Sequence, residues 1–223
     1  MLKKVLIANR GEIAVRIIRE CLDCSIEAVS VYSTADKQAL HTIIATKAIC
    51  IGGPRAGESY LNISNIIEAA KAEKCDAIHP GFGFLSENSQ FARACEENGI
   101  KFIGPASDTI DRMGNKSAAR RLMVKAGVPV VPGSDGAVKD AEEAVTIADK
   151  IGYPVLLKAS AGGGGRGMRK AYDKEEVREG FAAASAEAES CFGNGEMYVE
   201  KLIENPRHIE FQILADSQGN VVH

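Results

Sequence analysis

The sequence predicts an α/β protein: an N-terminal doubly wound, Rossmann-like parallel sheet, then a smaller α+β unit and the first strands of a further sheet. Three observations carry this reading. Apolar runs of strand length alternate with amphipathic helical patterns up to about residue 105, as in a parallel sheet joined by crossover helices. Those runs are continuous rather than alternating, which suits strands buried on both faces. After "VPVVPGSDG" (128–136), whose prolines mark a boundary, a second unit of helices and strands follows, in which "RHIEFQILAD" alternates strictly.

The elements follow in order. "KKVLIA" (3–8) is a buried strand, and "NRGEIAVRIIREC" (9–21) sets Ile13, Ile17 and Cys21, with Ala14 and Ile18, at helical spacing. "IEAVSVY" (26–32) is a second strand, "ALHTIIA" a short helix and "KAICIG" a short strand. "NISNIIEAAKAEKC" (62–75) is a helix capped by Asn62 or Ser64. "DAIHPG" is a strand ending in a loop. "ENSQFARACEENG" is a helix closed by Gly99, and "IKFIGP" a strand stopped by Pro105. Residues 106–127 form two helical pieces broken near Gly114. "DAEEAVTIADKIG" starts at the cap Asp140, with Glu143 at the third helical position, and "YPVLLKAS" is a strand. Beyond the glycines of 162–167, "MRKAY" is a strand, and Asp173 with Glu176 opens the helix "DKEEVREGFAAASAEAES". "EMYVEKLI" is a strand. "RHIEFQILAD" (207–216) reads as a long strand with His208, Glu210 and Gln212 on one face and Ile209, Phe211 and Ile213 on the other. "SQGN" turns the chain into a return strand "VVH", at which the 223 residues stop. A half-built hairpin is an unusual end for a domain, so a piece of a longer protein is expected.

Composition narrows the classes. A net charge of −3, scattered lysines and arginines, no Trp and 5% aromatics give no case for nucleic acid or an anionic membrane surface. No apolar run approaches the roughly 20 residues of a membrane helix, and Asn9, Arg10 and Glu12 break the first apolar patch too early for a signal peptide. A cytoplasmic protein is expected. Of the six cysteines, Cys21 and Cys24 form a CxxC. A zinc site wants a second pair, and a redox motif opens a helix, whereas this pair closes one. Small reduced residues are the simpler reading.

"KASAGGGGRGMRK" (158–170) spells two nucleotide motifs at once. The dinucleotide fingerprint needs a helix after the last glycine, but "MRKAY" is too short and is bounded by Asp173. A Walker loop needs Lys and then Ser or Thr there, but Met168 and Arg169 follow Gly167. A glycine-rich flap between two strands remains. Its N–H groups can cradle an anion, and Arg166 can add a charge. A plain mobile hairpin is the alternative, although five glycines in 162–167 weaken a strand pair without any packing gain. Lys158, at the end of the strand entering the flap, reaches the same anion. Lys116 heads a helix, where negative charge is favoured. In "YVEKLIENPRHIE" a strand runs through Glu200 and Lys201 into a turn at Asn205-Pro206, where a lid hinges and backbone groups can read a base edge. An ordinary linker is the alternative. His79 in "HPGFGF" reads as a loop-shaping residue.

Six segments in order, "IANRGEIAVRIIR", "HPGFGFLSEN", "GPASDTIDRMGNKSAAR", "VPGSDG", "LLKASAGGGGRGMR" and "YVEKLIENPRHIEFQILAD", closely resemble biotin carboxylase, the ATP-grasp component of acetyl-CoA carboxylase and its relatives. The resemblance covers essentially the whole chain. It implies a pre-ATP-grasp domain over 1–113, a connecting helix and linker over 114–132, an ATP-grasp lid over 133–201, and the first strands of a truncated central ATP-grasp domain over 202–223. It also implies a two-step reaction. ATP phosphorylates bicarbonate to carboxyphosphate, and the carboxyl group passes to N1 of biotin on a carrier protein, the first half-reaction on the way to fatty acids.

By the same resemblance Lys116 and Lys158 contact ATP phosphates, and Gly163, Gly164 and Gly165 close over them. Glu200, Lys201 and Ile203 form the adenine hinge, and His208 lies near the ribose. Ala161 departs from the family, which often has glycine there, and stiffens the flap. The acidic Mg2+ ligands, the general base and the arginine for the carboxylated intermediate belong beyond residue 223. No catalytic or metal residue is therefore expected within the chain, and these residues alone should not carboxylate biotin. Implied partners are bicarbonate, the biotin carboxyl carrier protein, a carboxyltransferase component and a second copy of the full-length enzyme. The alternative within the family is a multidomain carboxylase acting on pyruvate, propionyl-CoA or urea. Outside it stand a dinucleotide oxidoreductase, weak because "IANRGEIAV" holds only Gly11, and a non-catalytic interaction module.

Overall fold

The computed structural model describes residues 2–114, 116–159 and 167–223. They form two compact units, Met1–Leu122 and Met123–His223. Among the described residues no helix is long and apolar enough to cross a membrane.

In the first unit five strands, β1 (Lys4–Ile7), β2 (Glu27–Ser33), β3 (Lys47–Gly52), β4 (Ala77–His79) and β5 (Lys101–Phe102), lie parallel in the order β3-β2-β1-β4-β5. The order reverses between β1 and β4, the switch point at whose carboxyl edge open α/β sheets leave a crevice. Period-two geometry sends the apolar run of β1 to both faces. Val5 and Ile7 join α1 (Gly11–Asp23) through Ala14, Ile17, Ile18 and Cys21. Leu6 and Ala8 join Ile66 of α3 (Ile63–Ala72) and Phe91 of α4 (Ser89–Glu97). Helices on both faces make the sheet doubly wound, and α2 (Leu40–Ile44) and α5 (Ser107–Gly114) complete the layers.

Local chemistry sets the helix starts. Asn62 Oδ1 accepts from Asn65 N–H at 3.1 Å, so Asn62 rather than Ser64 is the cap. Asn88 Oδ1 does the same for Phe91 N–H at 2.9 Å. Cys21, Cys75 and Cys95 are buried, and all six cysteines are free. Desolvation pushes the Cys95 thiol up to about 12.

The second unit shares α6 (Lys116–Lys125) with the boundary and then builds α7 (Ala141–Ile151), β6 (Val155–Ala159), β7 (Met168–Ala171), α8 (Lys174–Phe192) and β8 (Met197–Lys201). Asp140 caps α7 and Asp173 caps α8, each accepting an N–H at 2.9 Å from the third helical residue. The strands form an antiparallel sheet, β7-β6-β8. Both helices cover one face. Val155, Leu157, Met197 and Val199 are buried with Ala144, Val145 and Ala148 of α7 and Val177 and Ala184 of α8. Residues 133–138 run along the outer edge of β8, bridging Gly133 to Glu200 and Val138 to Met197.

One expectation fails. Residues 207–213 form no strand, and only β9 (Leu214–Ala215) and β10 (Val221–Val222) pair as a hairpin. Alternation makes a strand only where a neighbouring edge supplies hydrogen bonds and one face is buried. Among the described residues nothing does either for this segment, and Ile209, Phe211 and Ile213 are exposed.

Phe91 is fully buried and meets Phe102 edge to face at 5.8 Å. Phe91→Ala is expected to destabilise the first unit by about 3–5 kcal/mol, read as a lower urea midpoint at unchanged m-value.

Candidate functional site

Two polar clusters stand out among the described residues, one in each unit. In the second unit the buried row of Val155, Leu157, Met197 and Val199 forces the intervening residues onto the helix-free face. Lys158 there lies opposite Met168 on one side and Tyr198 on the other. Leu156 lies opposite Lys170 and Glu200. Lys158 and Glu200 are thus diagonal neighbours on adjacent strands, and Lys158 Nζ is ion-paired to Glu200 Oε2. Both side chains are 35% exposed, open to solvent yet partly desolvated. Gly133 flanks the acid, where a Cβ would meet Val199 O at 2.6 Å and Glu200 Cγ at 3.2 Å. Only glycine lets the two backbones approach so closely.

The glycine run enters from this sheet. β6 and β7 pair antiparallel on its two sides, and Ala159 N–H donates to Gly167 O at 2.8 Å. Its flanks are two strands, not a strand and a helix. Gly163, Gly164 and Gly165 lie outside the described residues. Lys116 opens α6 with its backbone, while its side chain lies outside what is described.

The other expected residues are dispersed. Lys201 shares parity with Val199, so its side chain turns to the opposite face, where Nζ donates to Gly152 O at 3.1 Å and Tyr153 O at 2.5 Å. Its N–H donates to Pro132 O at 2.8 Å. The ammonium is committed to closing the loop between α7 and β6. Ile203 is exposed beyond β8. His208 is exposed and paired with Glu210 at 2.7 Å within the strandless segment. The structure therefore brings Lys158 and Glu200 together and leaves His208 apart from them in an exposed stretch.

The second cluster, at the carboxyl edge of β1 and β4, was not foreseen. Buried Asn9 donates from Nδ2 to Pro80 O at 2.7 Å and to Phe82 O at 2.8 Å, stitching the end of β1 to the loop after β4. A Cβ on Gly81 (φ +66°) would meet Asn9 Nδ2 at 2.8 Å, so the loop needs glycine there. His79 Nδ1 accepts Gly81 N–H at 3.1 Å, and burial lowers its imidazole below the usual histidine value. This is a neutral, loop-shaping ring. Phe84, at φ +42°, stacks on Tyr60 at 5.1 Å, and the Arg10 guanidinium lies 5.4 and 5.5 Å from the two ring centres. Asp36 gathers Tyr60 Oη at 2.7 Å, Ser33 Oγ at 2.9 Å and Arg10 Nη1 at 3.3 Å. Burial opposes its ionisation, yet these three donors outweigh it and hold the carboxyl below its ordinary range. Burial, then donation to that carboxylate, pushes the Tyr60 phenol up to about 12. The one sequence signal was a polar "NR" directly after an apolar strand.

Residues 1–110 match the family model "Biotin carboxylase, N-terminal domain", and residues 115–223 match "Carbamoyl-phosphate synthase L chain, ATP binding domain". The biotin carboxylase of Halalkalibacterium halodurans is 59% identical over 223 residues, all of this chain and 49% of that protein. The chain therefore spans about half the length of that relative. A Campylobacter jejuni biotin carboxylase solved with β,γ-ATP is 52% identical at TM-score 0.84, covering 100% of this chain and 50% of that one. The biotin carboxylase domain dimer of Hydrogenobacter thermophilus 2-oxoglutarate carboxylase, solved with MgADP, ADP and bicarbonate, is 52% identical at TM-score 0.81, covering 100% and 49%.

Asp36→Asn is expected to lower stability at pH 7 by about 1.5–3 kcal/mol, the range for hydrogen bonds to a charged group. Because the folded carboxyl titrates below its unfolded value, that contribution is full above about pH 5 and is lost as the pH falls through the folded pKa. Urea titrations at neutral and acid pH should show the gap between wild type and variant closing on acidification.

Proposed function

The chain belongs to the biotin carboxylase family, of which it carries the N-terminal and ATP-binding domains, and we propose that it is the N-terminal half of an ATP-dependent biotin carboxylase. In this reaction a bicarbonate oxygen attacks the γ-phosphorus of ATP, ADP leaves, and carboxyphosphate results. N1 of biotin on its carrier protein then gives its proton to a general base outside these residues and takes the carboxyl carbon, as the bond from that carbon to the phosphate oxygen breaks and phosphate leaves. The proposed organisation is a pre-ATP-grasp domain, a linker, a lid over 133–201 and the opening strands of the central domain.

One observation carries the proposal: Lys158 and Glu200 stand together on a helix-free face, at the mouth of a glycine run held between two strands. Phosphoryl transfer asks chiefly for positioning and for neutralised charge. Lys158 supplies a cation on a rigid strand, and Lys116 a second at the head of a ten-residue helix. Gly163, Gly164 and Gly165 supply N–H groups and close over the phosphates, keeping water from a labile intermediate. Glu200, Lys201 and Ile203 line the adenine, and His208 the ribose. The Lys201 ammonium is already engaged, so its part is a main-chain one. Among the described residues no group of three or more His, Cys, Asp or Glu side chains could hold a metal ion, and no residue here is given to magnesium.

In this reading the complete enzyme is a cytoplasmic homodimer. It works with a biotin carboxyl carrier protein and a carboxyltransferase component, and acetyl-CoA is the final acceptor. The likeness to a 2-oxoglutarate carboxylase domain supports a second reading, the same half-reaction serving another acyl acceptor.

Lys158→Gln in the complete enzyme is expected to raise KM for ATP roughly tenfold or more, the loss of one charge-assisted contact. Steady-state kinetics at saturating bicarbonate measure it. An unchanged KM and kcat would contradict the assignment.

A further inference from the structure

Lys158 does not wait for its anion alone. Its partner in this structure is Glu200, on the same face and diagonal to it across β6 and β8. A polyphosphate approaching Lys158 competes with Glu200 for the ammonium, and it also sets its own negative charge beside the acid. Glu200 is held on a strand on this face, with about two thirds of its side chain already out of water. Lys201, the adjacent cation in sequence, cannot take over as counter-ion, since its ammonium is bound to Gly152 O and Tyr153 O on the opposite face.

We propose that the Lys158–Glu200 ion pair is a specificity gate that admits nucleoside triphosphates and turns away inorganic polyphosphates. Such a gate rests on the nucleotide reading above and on which groups donate hydrogen bonds and which only accept them. An ionised carboxylate only accepts hydrogen bonds. Inorganic tripolyphosphate offers almost nothing but acceptors near neutral pH, so it takes Lys158 and leaves Glu200 half-buried and unpaired, which is costly. A nucleoside triphosphate brings its own donors, the exocyclic amine of the base and the ribose hydroxyls. It can house Glu200 while its phosphates take Lys158. Base recognition and phosphate binding are thereby coupled through one exchange of partners. Glu200 acts here as a specificity-determining residue whose negative charge is unfavourable to any anion that lacks the nucleoside.

Calorimetric titration of the complete enzyme with sodium tripolyphosphate and with ATP tests the gate, using wild type, Glu200→Gln, Glu200→Asp and Lys158→Gln/Glu200→Gln. Wild type should bind ATP and bind tripolyphosphate far more weakly. Glu200→Gln should tighten tripolyphosphate about tenfold while ATP gains much less or weakens, as expected when a charged competitor is removed. Glu200→Asp, whose shorter carboxylate draws back from Lys158, should move tripolyphosphate the same way by less. The double variant should lose the gain. Tripolyphosphate affinity unchanged or weaker in both folded Glu200 variants overturns the gate while leaving ATP binding by wild type intact. A wild type that binds no ATP overturns the nucleotide reading and the gate with it.

Discussion

Val155, Leu157, Met197 and Val199 lie fully buried beneath α7 and α8, and this row dictates where every polar side chain of the small sheet can go. Strand side chains alternate with a period of two, so burying one set delivers the other set to the open face. Lys158 and Glu200 arrive together on that face without any dedicated device. Lys201 follows from the same rule in the opposite sense: its parity with Val199 sends it to the helix side, where it finds two carbonyls. A one-residue slip of β8 would exchange the two outcomes and destroy both the core and the site. The core and the face that carries Lys158 and Glu200 are thus two products of one constraint.

The first unit solves a different problem. A parallel sheet buried on both faces leaves its chemistry to the loops at the strand ends. Here the loop after β4 is held by Asn9, by the stack of Phe84 on Tyr60 and by the Asp36 hub. Phe84 adopts a left-handed conformation, which a bulky residue keeps only where its surroundings over-determine it. Phe82 stands 58% exposed on that fixed loop. The loop is a shaped edge rather than a slack connection.

Most of the architecture was legible in the sequence because it is locally encoded. Apolar periodicity marked the ten-residue α3 and the thirteen-residue α1, and the Asn and Asp caps marked helix starts. Met168-Arg169 and the short "MRKAY" were enough to assign the glycine run to a strand–strand turn. What escaped was non-local. The Lys158–Glu200 pair joins residues 42 apart, and Asn9 reaches a carbonyl 71 positions away; no spacing rule connects such residues. The face taken by Lys201 could have been read from the parity of β8. The long strand at 207–216 was overread, because its alternation is real but its partner edge is not among the described residues.

The nucleotide site that we propose is the helix-free face of β6 and β8, with the glycine run, rather than the crevice at the switch point of the parallel sheet. Hydrogen exchange followed by mass spectrometry on the complete protein, with and without Mg-ATP, separates the two. Nucleotide is expected to slow exchange over 155–171 and 197–203 and to leave 79–85 unchanged. Protection confined to 79–85, with 155–171 unaffected, would contradict it.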